Sequence, residues 1–187
     1  MTDFLQDQPD GILLAMDEMS LYFQATTTRV WSFVGQTPQV RVAPSREHIH
    51  FYGALNLATG QEVTLPALQQ NGDTTAAFLQ HVLDTYPTRP ILLLLDRAPW
   101  HHGQAITQLL AQQPRLQTLF FPPACPQLNP QEHVWERTRD SVSHNHTFPS
   151  FVALWTAFFH FLEASLFHFN FLQHYVPPIL LNQVYPF

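Results

Sequence analysis

One uninterrupted apolar run, PILLLLD from Pro90 to Asp96, limits the folds open to this chain more than any other feature. A strand that is covered on both faces, as in a parallel sheet between helix layers, is a continuous apolar stretch and not an alternating one. The run therefore predicts a central strand of an α/β fold. Asp96 then lies at the carboxyl end of that strand, where open α/β sheets place their ligands.

Strand and helix patterns on either side of this run agree with an α/β order. Strands are predicted at residues 11–19, 29–34, 48–57 and 116–121, with a further short strand at 61–68. Helices are predicted from an Asp73 N-cap to Pro87 and at residues 103–113, 130–143 and 149–169. An antiparallel meander followed by βαβ units implies a mixed sheet with helices on its faces. The length of 187 residues suits a single domain, and the tail from Asn170 has no assigned structure.

Two further acids stand where the fold can bring them close to Asp96. Glu132 lies in the first turn of the helix that follows Asn129, and 35 residues separate it from Asp96. The first strand supplies both Asp17 and Glu18, whose side chains point to opposite faces, and the pattern does not choose between them. Three converging carboxylates supply the hard oxygen ligands of a two-magnesium phosphoryl-transfer site.

Each of these acids also has a purely structural interpretation. Glu132 follows Asn129 by three residues with Pro130 between them, which is the arrangement of a helix capping box. Asp96 can also be an ordinary strand-end acid. Glu136 lies one helical turn beyond Glu132 and could take its place. The residues alone leave these alternatives open.

The charge balance does not favour a nucleic-acid binder. The formal net charge is −6, and all 8 basic residues are arginines. Proteins that bind DNA usually present a basic face. Either the chain binds DNA weakly by itself, or the main DNA-binding part lies elsewhere.

The cysteine content indicates a reducing compartment, and one apolar segment is a candidate for a membrane span. The single cysteine, Cys125, excludes an internal disulfide framework and fits a reducing compartment such as the cytoplasm. Residues 151–172 are apolar enough to be mistaken for a membrane span, but His160, Glu163 and Asn170 interrupt them. We therefore expect a buried globular helix there, and no membrane partner.

Two segments match the sequence pattern of one known family. PPACPQLNPQEHVW, from Pro122 to Trp135, is similar to the family's pattern of prolines followed by Leu-Asn-Pro, Glu and Trp. FYGALNLATG, from Phe51 to Gly60, is similar to its third strand and the turn after it. Either segment alone is a weak signal, but the two together are specific.

Two groups of single residues complete the match. Asp17 and Glu18 with Trp31 resemble the family's opening strand pair, and Asp96 with His101 resembles its second acid and the histidine that follows. The family is that of the DDE transposases. Within it, the chain resembles the mariner-related transposases of bacterial insertion sequences.

This resemblance implies a fold, a reaction and a set of ligands. The fold would be α/β, a ribonuclease-H-like mixed five-stranded sheet flanked by helices. Asp17, Asp96 and Glu132 would be the catalytic residues and the metal ligands, and they would hold two Mg²⁺ ions, for which Mn²⁺ would substitute. The reaction would be DNA cleavage at transposon ends and strand transfer into target DNA by the freed 3′-hydroxyl.

The resemblance also implies partners. Transposon-end DNA, target DNA and a homodimer are expected, at the nucleoid within the cytoplasm. Members of the family carry helix-turn-helix domains ahead of the catalytic domain, whereas about ten residues precede the first strand here. Residues 1–187 are therefore expected to form the catalytic domain alone, with helix-turn-helix recognition on a separate subunit.

Five other side chains are candidates for contacting DNA or for supporting the metal ligands. They are His101, His102, Arg97, Arg137 and Arg139. The two histidines follow Asp96 and would order a water or contact a phosphate, although an exposed loop explains them equally well. Arg97 departs from the family pattern, in which an asparagine is common at this place. Trp135 is expected to pack in the core.

A non-catalytic function is the alternative. A degenerate or domesticated ribonuclease-H-like module would act as a binding protein through an aromatic C-terminal surface. Its residues would be Phe167, Phe169, Phe171, Tyr175, Tyr185 and Phe187. Metal binding that depends on Asp17 would argue against this alternative.

Overall fold

The fold is built on one mixed sheet of five strands. The computed structural model describes residues 1–24, 26–37, 39, 45–123 and 125–170 of the chain. In chain order the strands are β1 (Ile12–Tyr22), β2 (His48–Asn56), β3 (Glu62–Ala67), β4 (Ile91–Leu95) and β5 (Leu116–Phe120). They lie across the sheet in the order β3-β2-β1-β4-β5. The predicted mixed five-stranded sheet is confirmed.

The sheet has an antiparallel half and a parallel half that meet at β1. β2 pairs antiparallel with β1 as far as Tyr22 opposite His48, and β3 pairs antiparallel with β2. β4 runs parallel to β1, but their pairing ends at Ala15 opposite Leu94. β5 continues the parallel half. Beyond Ala15, β1 therefore continues beside β2 and separates from β4.

Within the described residues, five α-helices cover the sheet. They are α1 (Thr2–Asp7), α2 (Gly72–Thr85), α3 (Gln104–Gln112), α4 (Pro130–Thr138) and α5 (Phe151–Ala164). A π-helical turn, Arg139–Ser143, extends α4, and short 3₁₀ turns lie at Pro99–His101 and Pro126–Leu128. The helix predicted at 130–143 is thus present, although its last turn is wider than an α-helix.

Alternation along the central strands separates two apolar cores. Leu13 and Ala15 of β1 pack in one core with side chains of α4 and α5. Leu14 and Met16 pack in the other with side chains of α2 and α3. All five residues of β4 are buried, as the uninterrupted apolar run predicts. The sheet is therefore covered by helices on both faces.

The strand predicted at residues 29–34 is wrong. Trp31, Phe33 and Val34 are exposed, and these residues form no strand. The preceding backbone contacts a loop instead, because the Asn145 N–H donates to the Thr26 carbonyl at 3.0 Å. β2 already occupies the edge of β1. Aromatic and β-branched residues favour a strand only where a neighbouring strand can pair with them.

The beginning of α2 also differs from the prediction. Asn71 is the N-cap, and its side chain accepts a hydrogen bond from the Thr74 N–H at 2.9 Å. Asp73, the predicted cap, lies inside the first turn. α1 was not predicted at all, yet Phe4 and Leu5 on this helix are buried in the core.

The last described helix, α5, ends at Ala164 and not at the predicted residue 169. The chain then becomes extended, because the Phe167 N–H donates to the Gly60 carbonyl at 2.7 Å. Gly60 has a φ of +72° and makes this close approach without a side chain in the way. Among the described residues, no helix has the length and apolar character that a membrane crossing requires.

Candidate active site

Three acids from three different elements line one cavity of about 320 Å³. Asp17 lies on β1, Asp96 directly follows β4, and Glu132 lies in the first turn of α4. Pro122 and Pro123 form part of the wall. The fold thus brings together the three acids that the sequence singled out, while their catalytic role stays a prediction.

The separation of β1 from β4 creates the space for these acids. Asp17 pairs with Gly53 of β2 and lies two residues beyond Ala15, the last residue of β1 that pairs with β4. β1 continues to Tyr22, beyond the predicted end of this strand at residue 19, so Asp17 does not lie at the end of its strand. Asp17 nevertheless lies where the parallel pairing ends, which places it close to Asp96.

Asp17 is held in an environment that disfavours its charge. Burial, followed by the negative charges of Glu132, Glu18 and Asp96, raises the pKa of Asp17 to about 8. The Trp135 indole N–H donates a hydrogen bond to Oδ2 of Asp17 at 3.1 Å. Without a bound cation, Asp17 therefore keeps a proton at neutral pH.

Asp96 is oriented by the turn that follows it. Its Oδ1 accepts a hydrogen bond from the Ala98 N–H at 2.9 Å and lies 2.9 Å from Nδ1 of His101. The Asp96 side chain is 53% exposed, whereas His101 is buried. His101 is thus a buried support for Asp96 and does not lie on a surface that DNA could contact.

His101 also reaches the opposite face of β1. Its Nε2 lies 2.8 Å from Oε1 of Glu18, and the Trp100 indole N–H donates to Oε2 of Glu18 at 3.2 Å. Burial alone would lower the pKa of His101, but the bond to Glu18 and the charges of Glu18 and Asp96 raise it above its usual value. The imidazole therefore bridges two carboxylates and is stabilised in its charged form.

This contact distinguishes the positions of the two acids of β1. Asp17 faces the cavity, and Glu18 points to the other face of the sheet, where it supports His101. Sequence reasoning missed this function of Glu18 and the contribution of Trp100. The alternation of side chains along a strand was the available signal, because it sends Glu18 away from Asp17.

The start of α4 is fixed without help from Glu132. Asn129 Oδ1 accepts from the Gln131 N–H at 3.1 Å, and its Nδ2 donates to the Met16 carbonyl at 3.0 Å. Within the described residues, the Glu132 carboxylate makes no return bond to Asn129, so a capping box does not form. Glu136 lies outside the acid cavity. The exposed Glu132 side chain is therefore free of a capping function.

The three carboxylates form an open site and not a closed ligand set. Within the described residues, no three His, Cys, Asp or Glu side chains are grouped closely enough to hold a metal ion as they stand. The effect of Glu132 and Asp96 on the pKa of Asp17 nevertheless places all three within electrostatic reach of one another. The arrangement is an acidic cavity whose members repel each other.

The other side chains that are predicted to contact DNA lie at different distances from the acid cavity. Arg97 is on its wall, and its guanidinium lies 5.5 Å from the centre of the Phe120 ring. His102 stacks on the same ring at 5.0 Å. Arg137 is exposed on α4. Arg139 lines a cavity of about 490 Å³ that contains none of the three acids, and also one of about 440 Å³ that includes Glu132.

Of the predicted aromatic C-terminal surface, the structure describes Phe167 and Phe169. Phe167 is 4% exposed and packs in the core with α5, and the Phe169 ring stacks near it at 6.5 Å. Phe171, Tyr175, Tyr185 and Phe187 lie outside the described residues.

Sequence comparison relates the chain to proteins of mobile DNA. Residues 12–154 match the family described as DDE superfamily endonuclease. The insertion element IS630 uncharacterized 39 kDa protein of Shigella sonnei is 23% identical over 148 residues, which are 79% of this chain and 43% of that protein. The chain therefore spans less than half the length of this relative.

Solved structures with the same fold include complexes of the Mos1 transposase. The Mos1 transposase paired-end complex with left transposon end superposes with a TM-score of 0.63 at 14% identity, over 88% of this chain and 51% of that chain. The Mos1 mariner paired end complex with Mn gives a TM-score of 0.60 at 15% identity, over 82% and 48%. At these identities the likeness establishes the fold, and the expected ribonuclease-H-like architecture is confirmed.

Proposed function

The chain belongs to the DDE superfamily endonuclease family, and on that premise we propose that it is the catalytic domain of a transposase. Its reaction would be hydrolysis of a phosphodiester bond at a transposon end, followed by attack of the freed 3′-hydroxyl on a phosphodiester bond of target DNA. The observation that carries the proposal is the single cavity lined by Asp17, Asp96 and Glu132.

The chemistry of this cavity fits divalent cations. Carboxylate oxygens are the ligands that Mg²⁺ and Mn²⁺ prefer, and Asp17, Asp96 and Glu132 would hold the ions. Burial, followed by repulsion from the other acids, raises the pKa of Asp17, and a cation between the acids would relieve that repulsion. When bound, two Mg²⁺ ions, or Mn²⁺ in their place, would supply Lewis acidity at the scissile phosphate. One relative with this fold is described as a complex with Mn.

Neighbouring residues of the chain set the protonation and the orientation of the acids for binding a cation. Asp17 has to release its proton before it can act as a ligand, so cation binding should be accompanied by proton release. The Trp135 N–H fixes the orientation of Asp17, and His101 with the Ala98 N–H does the same for Asp96. Ligands that are oriented in advance lose less conformational entropy on binding.

The position of Glu132 depends on the first turn of α4. Asn129 connects this turn to the Met16 carbonyl of β1, close to Asp17 in the chain. Glu132 is exposed, so its carboxylate would adjust to its ligands at the mouth of the cavity. Two fixed acids and one adjustable acid would then complete the site.

The surroundings of the cavity support a role for DNA and for further subunits. Arg97 on the cavity wall, with His102, Arg137 and Arg139 farther out, would contact phosphates. The net charge of −6 supports recognition of transposon ends by a separate helix-turn-helix subunit. A homodimer that acts at the nucleoid in the cytoplasm completes the proposal.

Nicking of supercoiled plasmid DNA in the presence of Mn²⁺ tests the proposal. Glu132→Gln removes one proposed ligand, and we expect the rate to fall by about two orders of magnitude. Glu136→Gln makes the same change of charge one turn farther along α4, outside the acid cavity, and should leave the rate close to that of the wild-type chain. Equal rates for the two variants would contradict the proposal.

A further inference from the structure

A second buried carboxyl group lies beside the helix that carries Glu132. Glu62 is the first residue of β3, and Gln131 is the second residue of α4. Gln131 Nε2 donates a hydrogen bond to Oε1 of Glu62 at 2.6 Å. Gln131 is fully buried, and Oε2 of Glu62 is enclosed although the residue as a whole is half-buried.

Each partner of this hydrogen bond keeps one unused oxygen. Among the described residues, two buried side-chain atoms lack a hydrogen-bond partner, and they are Oε2 of Glu62 and Oε1 of Gln131. If Glu62 were ionised, both atoms would be acceptors in the same enclosed space. Two unsatisfied buried acceptors are costly, and their partial charges repel.

We propose that Glu62 is a neutral carboxylic acid in the folded protein and forms a cyclic pair with the Gln131 amide, which positions the first turn of α4. The proton on Oε2 of Glu62 is donated to Oε1 of Gln131, while Nε2 of Gln131 donates to Oε1 of Glu62. Both unused oxygens are then satisfied by one proton.

The surroundings of Glu62 favour the neutral form. Burial raises the pKa of Glu62 well above its usual value, although hydrogen bonds from Gln131 and the Ala54 backbone oppose this effect. The Tyr86 hydroxyl also lies within electrostatic reach. Within the described residues, Glu62 has no ion pair with a cation.

The backbone of β2 leaves room for this pair. A Cβ atom at Gly53 would overlap Oε1 of Glu62, Nε2 of Gln131 and the Trp135 ring. Gly53 pairs with Asp17 in the neighbouring strand. The acid–amide pair therefore packs directly over the part of the sheet that carries Asp17.

The pair completes a set of three contacts that connect α4 to the sheet. Asn129 bonds to the Met16 carbonyl, Trp135 to Asp17, and Gln131 to Glu62. Gln131 directly precedes Glu132, so a shift of its side chain would displace Glu132. Glu62 and Gln131 are thus positioning residues, a conclusion that rests on the proposed function of Glu132.

The pH dependence of unfolding tests the protonation of Glu62. The unfolded chain releases this proton near the usual value for glutamate, whereas the folded chain keeps it. Glu62 should therefore make wild-type stability fall as pH rises, and its own contribution is tenfold in the folding equilibrium constant per pH unit. Glu62→Gln forms the same cyclic pair through two amides and has no proton to release.

The measurement is the difference between these two chains in urea unfolding from about pH 5 to pH 7. We expect Glu62→Gln to gain stability relative to the wild-type chain by a factor of ten per pH unit. Asp17 titrates in both chains, so its contribution cancels. If the difference in unfolding free energy between the two chains does not change with pH, the proposal that Glu62 is neutral is overturned.

Calorimetric titration with Mn²⁺ tests the positioning role. Glu62→Met keeps the approximate size of the side chain but cannot bond to Gln131, and it should weaken Mn²⁺ binding roughly tenfold. Glu62→Gln should bind Mn²⁺ like the wild-type chain. If both variants bind like wild type while Glu132→Gln has lost affinity, positioning is overturned. If Glu132→Gln itself binds normally, the proposed function fails, and the pH experiment still decides the state of Glu62.

Discussion

The Trp135 indole N–H donates a 3.1 Å hydrogen bond to Oδ2 of Asp17, across 118 positions of the sequence. The helix that carries Glu132 is thereby connected to the strand that carries Asp17. Trp135 is 1% exposed, so it packs in the core, as expected, and also contacts a proposed ligand. Packing and site geometry therefore depend on the same side chain.

Trp135→Phe should lower both the free energy of unfolding and the affinity of the site for Mn²⁺. The phenyl ring retains most of the packing but leaves an oxygen of Asp17 without a donor, which costs about 1–3 kcal/mol in the free energy of unfolding. Mn²⁺ affinity, measured by calorimetry, should fall as well. Trp100→Phe is the matched control, because Trp100 donates to Glu18 on the other face of the sheet. An equal loss of Mn²⁺ affinity in both variants would argue against a specific role for Trp135.

Asp17→Asn should stabilise the metal-free protein. The folded pKa of Asp17 is about 8, against 3.8 for an ordinary aspartate, so wild-type stability falls as pH rises through this window. The asparagine does not titrate and can still accept the Trp135 bond. At pH 7 we expect a gain on the order of 2–4 kcal/mol in urea unfolding. A lower free energy of unfolding for the variant would be incompatible with a repulsive acid cavity.

His101 should contribute stability that is present at mildly acidic pH and lost at alkaline pH. Its pKa is raised in the folded protein, so its stabilising pairing with Glu18 and Asp96 is complete below the usual value of 6.5 and disappears as pH rises through the folded value. In an Asp17→Asn background, His101→Gln should therefore reduce the decrease in stability with rising pH. His160→Gln, at an exposed position of α5, is the control, and an equal effect of the two substitutions would contradict the role of His101.

Gly53→Ala should destabilise the protein by about 1–3 kcal/mol in urea unfolding, because the added methyl group overlaps three enclosed side-chain groups. Gly103→Ala provides the comparison, since no atom lies within 4 Å of the position that its Cβ would take. If the two substitutions cost the same, the close packing over Gly53 does not constrain the fold.

The elements that the sequence predicted correctly are those that burial and hydrophobic periodicity determine. The apolar run of β4 predicted a strand covered on both faces, and the Asn-Pro sequence predicted the start of α4. The resemblance to mariner-related DDE transposases is confirmed by the family match and by the shared fold. These features depend on local pattern or on a long matching segment.

The errors arose where distant contacts decide the structure. Residues 29–34 have strand composition but no neighbouring strand, and α5 ends early because Phe167 bonds to Gly60. The choice between Asp17 and Glu18 needed the positions of His101 and the cavity. Nothing in the spacing of Glu62 and Gln131 indicated that they pair, since 69 positions separate them.

Because the pairing between β1 and β4 ends early, the two chain segments diverge at the site. One segment is β1 from Met16 onward, the other leaves β4 at Asp96, and both continue from strands that are held in the core. Two domains on a hinge can close around a substrate, whereas two diverging strands of one sheet are held at a set separation by the core. A ligand that contacts both Asp17 and Asp96 therefore has to fit a gap whose sides are set by the core of the sheet.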